Sequence, residues 1–233
     1  DRTISLVERI KAEIGIEAMA HLTCVGHTAD EITAILRELK SRGVENVLAL
    51  RGDPPKGVAE FRATAGGFAH GDEMLKHVKA FGHFSVGVAG YPEGHPECED
   101  KVADRKNFAR KVAGGADFAI TQLYFDNADY FRFVDAARGD GVRIPIIPGI
   151  MPVTNGAQIK RFTTMCGAKL PAALLAEIDA AGDDPAKTLD VGVRWATHQC
   201  QELLDRGAPG IHFYTLNKSP ATRSIFEKLR IPT

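Results

Sequence analysis

Short, nearly continuous apolar runs recur at residues 18–24, 46–52, 83–90, 118–125, 144–151 and 210–217, separated by longer stretches whose apolar residues follow helical spacing. Runs of this kind read as strands buried on both faces, and the stretches between them as covering helices. Six strands are expected. Their alternation with helices predicts a parallel sheet, either open and doubly wound or closed as a (β/α)8 barrel, and the pattern does not choose between these. The clearest helix starts at Thr28, whose hydroxyl can cap the first turn while Glu31 returns the bond. Ile32, Ile35, Leu36 and Leu39 form its apolar face, and Gly43 supplies a left-handed stop. The last helix is expected to open with Ser219 as N-cap and Pro220 in its first turn. Ahead of the first strand, Ile4, Leu6, Val7 and Ile10 make one helical face, and the chain opens on Asp1 without a methionine, so N-terminal sequence is expected to be missing.

Composition narrows the class. The 29 Lys and Arg balance 30 Asp and Glu, and 44% of the 233 residues are hydrophobic, which excludes a disordered chain and a general polyanion binder. One domain over residues 1–233 is expected, with neither nucleic acid nor membrane as partner. Cys24, Cys98, Cys166 and Cys200 stand far apart with no CxxC pair, fitting reduced thiols in the cytoplasm better than disulfides or a zinc site. No secretory signal is visible. The longest uncharged stretch, 144–159, is broken by three prolines and is shorter than the roughly 20 residues a bilayer span needs. Neither GxGxxG after a strand nor GxxxxGK[ST] occurs, which weakens the dinucleotide-fold and P-loop readings.

Polar residues of unusual character collect where strands end, which is where barrel enzymes place their chemistry. The second strand runs into Arg51-Gly52-Asp53-Pro54, with a permissive glycine and a carboxylate at the rim. The third runs into Gly90-Tyr91-Pro92-Glu93-Gly94-His95-Pro96-Glu97, supplying an aromatic face and an imidazole. His95 and Cys98 are too few to specify a metal, and no metal site is expected. Asp104, Asn107 and Lys111 then share a narrow helical face, a stripe that taken alone would read as solvated. The fourth strand presents Gln122 near its end, and after the fifth, Gln158 is followed one turn later by Phe162, which alone would read as core.

Together, His21-Leu22-Thr23-Cys24, Leu50-Arg51-Gly52-Asp53, the Gly90–Glu97 loop, Ile120-Thr121-Gln122 and His212-Phe213-Tyr214-Thr215-Leu216-Asn217 resemble the methylenetetrahydrofolate reductases in order and spacing across essentially the whole chain. The resemblance implies an α/β fold of (β/α)8 TIM-barrel type, with six of its eight strands in this sequence. It implies FAD-dependent reduction of 5,10-methylenetetrahydrofolate to 5-methyltetrahydrofolate with NADH or NADPH as donor, in one-carbon metabolism and methionine biosynthesis. Carried over by motif, His21, Arg51, Gly52, Asp53, Tyr91, His95, Cys98, Asp104, Asn107, Arg110 and Lys111 would line FAD, with Arg110 and Lys111 suited to its pyrophosphate and Cys98 contributing backbone. Asp53 would lie near the flavin pyrimidine and the pterin and tune both. Gln122, Gln158, Phe162 and Lys218 would join Asp53 in contacting the substrate. A homo-oligomer is expected.

Three departures stand out. His70 and Gly71 align with a Tyr-Ala pair that lines FAD in the family, although a solvated helix entry fits them equally well. Lys218 replaces an arginine, keeping charge but losing the planar fork. The family's first strand, which carries the general-acid Glu, has no counterpart here, so a polypeptide limited to these residues is expected to be inactive. The alternatives are a noncatalytic flavin- or folate-binding protein, or a flavoenzyme like proline dehydrogenase; Gln122 and the Leu50–Asp53 motif favour folate.

Overall fold

A computed structural model describes residues 2–52 and 61–231. In chain order its elements are α1 (Arg2–Arg9), which ends in a wider π turn at Ile10–Ile14, β1 (Met19–Thr23), α2 (Ala29–Ser41), β2 (Asn46–Leu50), α3 (Gly71–Phe81), β3 (Ser85–Gly90), α4 (Lys101–Ala113) and β4 (Phe118–Thr121). There follow α5 (Asn127–Gly139), β5 (Ile146–Ile147), β6 (Gly149–Ile150), α6 (Gly156–Cys166), α7 (Ala172–Ala181), α8 (Pro185–Asp205), β7 (His212–Phe213) and α9 (Pro220–Phe226). The main sheet has the order β1-β2-β3-β4-β5, and β6 pairs with β7. Two compact units result: Asp1–Ala89 with Ala109–Ala119, and Gly90–Phe108 with Ile120–Thr233.

In the first unit β1 and β2 pair in parallel from Met19 opposite Asn46 to Thr23 opposite Leu50, and β2 pairs with β3 in the same sense. Parallel neighbours need a crossover, and α2 provides the first. Thr28 and Glu31 form the expected capping box. Ile32, Leu36 and Leu39 are buried, and the chain leaves the helix through left-handed Gly43, after which the Val44 N–H returns to the Leu39 carbonyl at 3.0 Å. Met74, Leu75 and Val78 bury one face of α3. At the N-terminus Ile4 and Val7 are buried but Leu6 is 54% exposed, so the apolar face is narrower than its sequence suggests.

The second unit departs further from the expected strands. Residues 118–125 give a strand only to Thr121, because beyond it side chains of α8 take the backbone carbonyls: Gln199 Nε2 donates to Tyr124 at 3.2 Å and Trp195 Nε1 to Phe125 at 3.2 Å. Pro148, which has no N–H, divides the run 144–151 into β5 and β6, and these join different sheets. The run 210–217 contributes only His212–Phe213, then turns through Leu216 and Asn217, both at positive φ. Among the described residues, seven strand segments therefore stand where six were expected. Ser219 occupies the N-cap of α9, yet its side chain makes no capping bond; Pro220 takes the first turn as expected. Leu123, Phe125, Val153, Ile159, Leu174 and Ile178 form the apolar centre of this unit, with Phe162, Trp195 and Tyr214 packed against it.

Gly192, inside α8, shows how tightly the second unit is packed. A Cβ there would lie 1.8 Å from the Val153 carbonyl oxygen. Alanine normally gains about 1 kcal/mol over glycine in a helix, but overpacking typically costs about 1–3 kcal/mol, and here the obstacle is backbone. Gly192→Ala is expected to lower stability by roughly 2 kcal/mol net, read as a lower urea midpoint with unchanged slope.

Candidate functional site

In the first unit the ends of β1 and β2 are joined beyond the ladder. The Cys24 N–H donates to the Leu50 carbonyl and the Val25 N–H to the Arg51 carbonyl, both at 3.1 Å, while Cys24 Sγ donates to the Arg51 carbonyl at 3.2 Å. This fixes Arg51 and Gly52 at the strand end. Gly52 sits at φ 86°, and a Cβ would fall 2.7 Å from Val25 Cγ1, so the close approach of the two chains depends on glycine. The Arg51 guanidinium lies over the Phe61 ring at 5.2 Å. His21, on β1, is partly solvent-exposed, yet the protein crowding its ring lowers its pKa from the ordinary imidazole value. His70 is the exposed N-cap of α3; Gly71 opens that helix, its missing Cβ 3.4 Å from the Arg51 nitrogen. That is the helix-entry geometry. Arg110 is exposed, and Lys111 Nζ donates to the Ala89 carbonyl at 2.6 Å. Asp53 lies outside the described residues.

In the second unit the loop after β3 folds on itself. The Gly94 N–H donates to the Tyr91 carbonyl at 3.0 Å and the Cys98 N–H to the His95 carbonyl at 2.9 Å. Tyr91 and His95 meet edge to face with ring centres 4.6 Å apart. Asp104 accepts the His95 N–H at 3.1 Å, so it anchors this loop rather than lying idle on a solvated stripe, while Asn107 remains exposed. Cys98 Sγ donates to the Asp100 carbonyl at 3.3 Å. Gln122 follows β4 directly: its N–H donates to the Gly90 carbonyl at 2.7 Å and its Oε1 accepts the Leu123 N–H at 2.9 Å.

Gln158, Phe162 and Lys218, distant in sequence, line one cleft with an empty volume of about 410 Å³ measured out to solvent. The Asn155 side chain caps α6 by accepting the Gln158 N–H at 2.8 Å, which orients the first turn toward the cleft. Arg161 lies 5.6 Å from the centre of the Phe162 ring. Lys218 is an exposed cation held in a turn by its N–H to the Thr215 carbonyl at 2.9 Å. An amide, an aromatic face and a cation along one cleft suit a flat, partly apolar ligand with an anionic end. Tyr214 completes the wall. Its part is not evident from sequence, because its hydroxyl bonds to the Thr121 carbonyl, 93 positions away; Asn155, three residues before Gln158, is legible as a cap. Among the described residues no group of three His, Cys, Asp or Glu could hold a metal, and no helix is long and apolar enough to cross a membrane.

Glu93, to which the sequence alone assigns no role, ties two segments of this unit together. Both its carboxylate oxygens lie 3.2 Å from the Lys169 nitrogen, whose N–H donates to them, tying the Tyr91–His95 loop to the chain just past α6. Burial raises its pKa above the ordinary carboxylate value, and the Lys169 N–H only partly opposes this. The folded protein therefore binds this proton more tightly than the unfolded chain, so stability declines as pH rises through the folded-state value. Glu93→Gln keeps an acceptor for Lys169 without the charge. It should be more stable than the native protein at pH 7, with the difference between urea midpoints shrinking as the pH approaches 4.

The family model for methylenetetrahydrofolate reductase matches residues 1–230. The chain is 37% identical over 231 residues to 5,10-methylenetetrahydrofolate reductase of Escherichia coli (strain K12), covering 99% of this chain and 76% of that one. It is 36% identical over 240 residues to methylenetetrahydrofolate reductase (NADH) 1 of Zea mays, covering 98% of this chain but 40% of the relative. The chain thus spans about 40% of the length of the plant relatives it matches. A solved structure titled as an uncharacterized protein from Clostridium thermocellum that binds two copies of 5-methyl-5,6,7,8-tetrahydrofolic acid superposes with a TM-score of 0.60 at 15% identity, over 95% of this chain and 76% of that one, a likeness of fold. The (β/α)8 class expected from the sequence is the fold of the matched family, and the parallel α/β order agrees with it. With a family model spanning nearly its entire length, the chain belongs to the methylenetetrahydrofolate reductase family.

Proposed function

We propose that this chain is the catalytic part of an enzyme that reduces 5,10-methylenetetrahydrofolate to 5-methyltetrahydrofolate, with FAD relaying hydride from NADH or NADPH. The observation that supports this most is the cleft shared by Gln158, Phe162 and Lys218, in a chain of this family. A reduced folate is a flat pterin and aminobenzoyl group ending in glutamate carboxylates. Phe162 offers the rings an apolar face, Gln158 donates and accepts hydrogen bonds, and Lys218 at the rim attracts the carboxylates. Gln122 is proposed as the pterin handle.

The residues present fit a flavin dinucleotide by the chemistry of their donors, unit by unit. The second unit offers the paired rings of Tyr91 and His95 and the exposed Asn107 amide. The first offers Arg51 and Gly52 at a fixed strand end, the His21 ring, and the Arg110 and Lys111 cations for a pyrophosphate. We assign Cys98 to the loop backbone, Asp104 to anchoring that loop, and His70 and Gly71 to the entry of α3. When bound, FAD supplies the two-electron chemistry that accepts a hydride from a nicotinamide and passes it to the folate one-carbon bridge. The protein binds and orients the partners, and a carboxylate at Asp53 would tune both the flavin and the pterin.

Three measurements test this function. Lys218→Ala should raise the KM for the folate about five-fold, as loss of one largely solvated charge contact implies, while reduction of the flavin by NADH or NADPH keeps its rate. Unchanged KM would remove Lys218 from the site. Asp53→Asn should alter folate reduction and the flavin potential in stopped-flow and spectroelectrochemical measurements while leaving the thermal midpoint nearly in place. If saturating FAD gives the well-folded full-length protein neither a perturbed flavin spectrum nor thermal stabilisation, the cofactor assignment falls.

A further inference from the structure

Tyr214 belongs at once to the cleft and to the strand that leads to Gln122. Its ring lines the cleft beside Gln158 and Phe162. Its hydroxyl donates to the Thr121 carbonyl at 2.8 Å, a partner 93 positions away in sequence. Thr121 is fully buried, and its Oγ1 accepts the Gly149 N–H at 2.9 Å. This meeting point tolerates no extra atom: a Cβ on Gly149 would lie 2.2 Å from the Thr121 oxygen and 2.6 Å from Tyr214 Cε2. The next residue is Gln122, whose own N–H is bonded to the Gly90 carbonyl. The peptide between Thr121 and Gln122 is therefore held by the phenol at its carbonyl and by β3 at its N–H. Burial keeps the phenol neutral well above its ordinary range, so it remains a donor.

We infer that Tyr214 is a positioning residue that sets the Gln122 peptide in register with the cleft wall, so that a folate seated against Phe162 meets an already oriented Gln122 amide. This rests on the folate reading above. Losing the hydroxyl leaves the ring in the cleft but frees the Thr121 carbonyl, so the Gln122 amide samples other orientations and folate binds less well.

The test uses the full-length flavin-loaded protein. Tyr214→Phe should raise the KM for 5,10-methylenetetrahydrofolate about three- to ten-fold, the range expected for one neutral hydrogen bond. Replacing Tyr214 with p-aminophenylalanine, which restores an N–H donor on the same ring, should recover most of the loss. Because the two residues act as one unit, the effect of Gln122→Leu should be much smaller in the Tyr214→Phe background than in the native protein. A fall in thermal midpoint with native KM, or fully additive effects of the two substitutions, would overturn the inference and leave Tyr214 a packing residue. Failure of the native protein itself to reduce the folate would instead overturn the functional reading, and this inference with it.

Discussion

The second unit depends on how its backbone is satisfied where the strands stop. A parallel strand buried on both faces cannot end by handing its carbonyls to water, and an unpaired buried carbonyl costs about as much as a lost hydrogen bond. At and beyond the end of β4 four backbone groups are satisfied by side chains from elsewhere or by neighbouring backbone. The Thr121 carbonyl takes the Tyr214 hydroxyl, the Gln122 N–H takes the Gly90 carbonyl, and the Tyr124 and Phe125 carbonyls take Gln199 and Trp195 of α8. The groups that satisfy the strand end also hold the peptide that leads into Gln122.

The same logic explains which parts of the fold could be read from sequence. The capping box at Thr28 and Glu31, the buried face of Ile32, Leu36 and Leu39, and the strands at β1, β2 and β3 all arise from contacts within a few residues or from continuous apolar runs. Those signals are local. The early end of β4 was not legible, because residues 118–125 are apolar enough for a longer strand and the groups that interrupt it come from residues 195 and 199. The division of β5 from β6 was half legible in Pro148, whose missing N–H marks the break but does not say that its two sides join different sheets. Leu216 carries no local warning that it takes positive φ, whereas Asn217 is of a residue type enriched there.

The candidate site divides along the same line. Gln158, Phe162 and Lys218 were singled out from residue type and resemblance, and the cleft then gathered them although they come from α6 and the turn beyond β7. Asp104 reads as part of a polar stripe and is in fact bonded to the loop it follows, accepting the His95 N–H. What resemblance did not supply was the supporting set: Glu93 on Lys169, Asn155 beneath Gln158, and Tyr214 on Thr121. Each of these spends its polar group on backbone. A motif that is read for chemistry passes over such residues, since their contribution is to geometry.

Substitutions in the site fall into two physical classes. Lys218 is exposed and Gln158 only half-buried, so changes there subtract a contact and leave the backbone in place. Tyr214 and Glu93 hold backbone groups, and removing either leaves an amide or carbonyl to find a new partner, which moves neighbouring residues as well. The two classes therefore separate by additivity more clearly than by the size of any single effect. Contact residues on opposite sides of the cleft should behave independently, whereas a residue that holds a strand end should be coupled to the side chain it aims, however far apart the two lie in sequence.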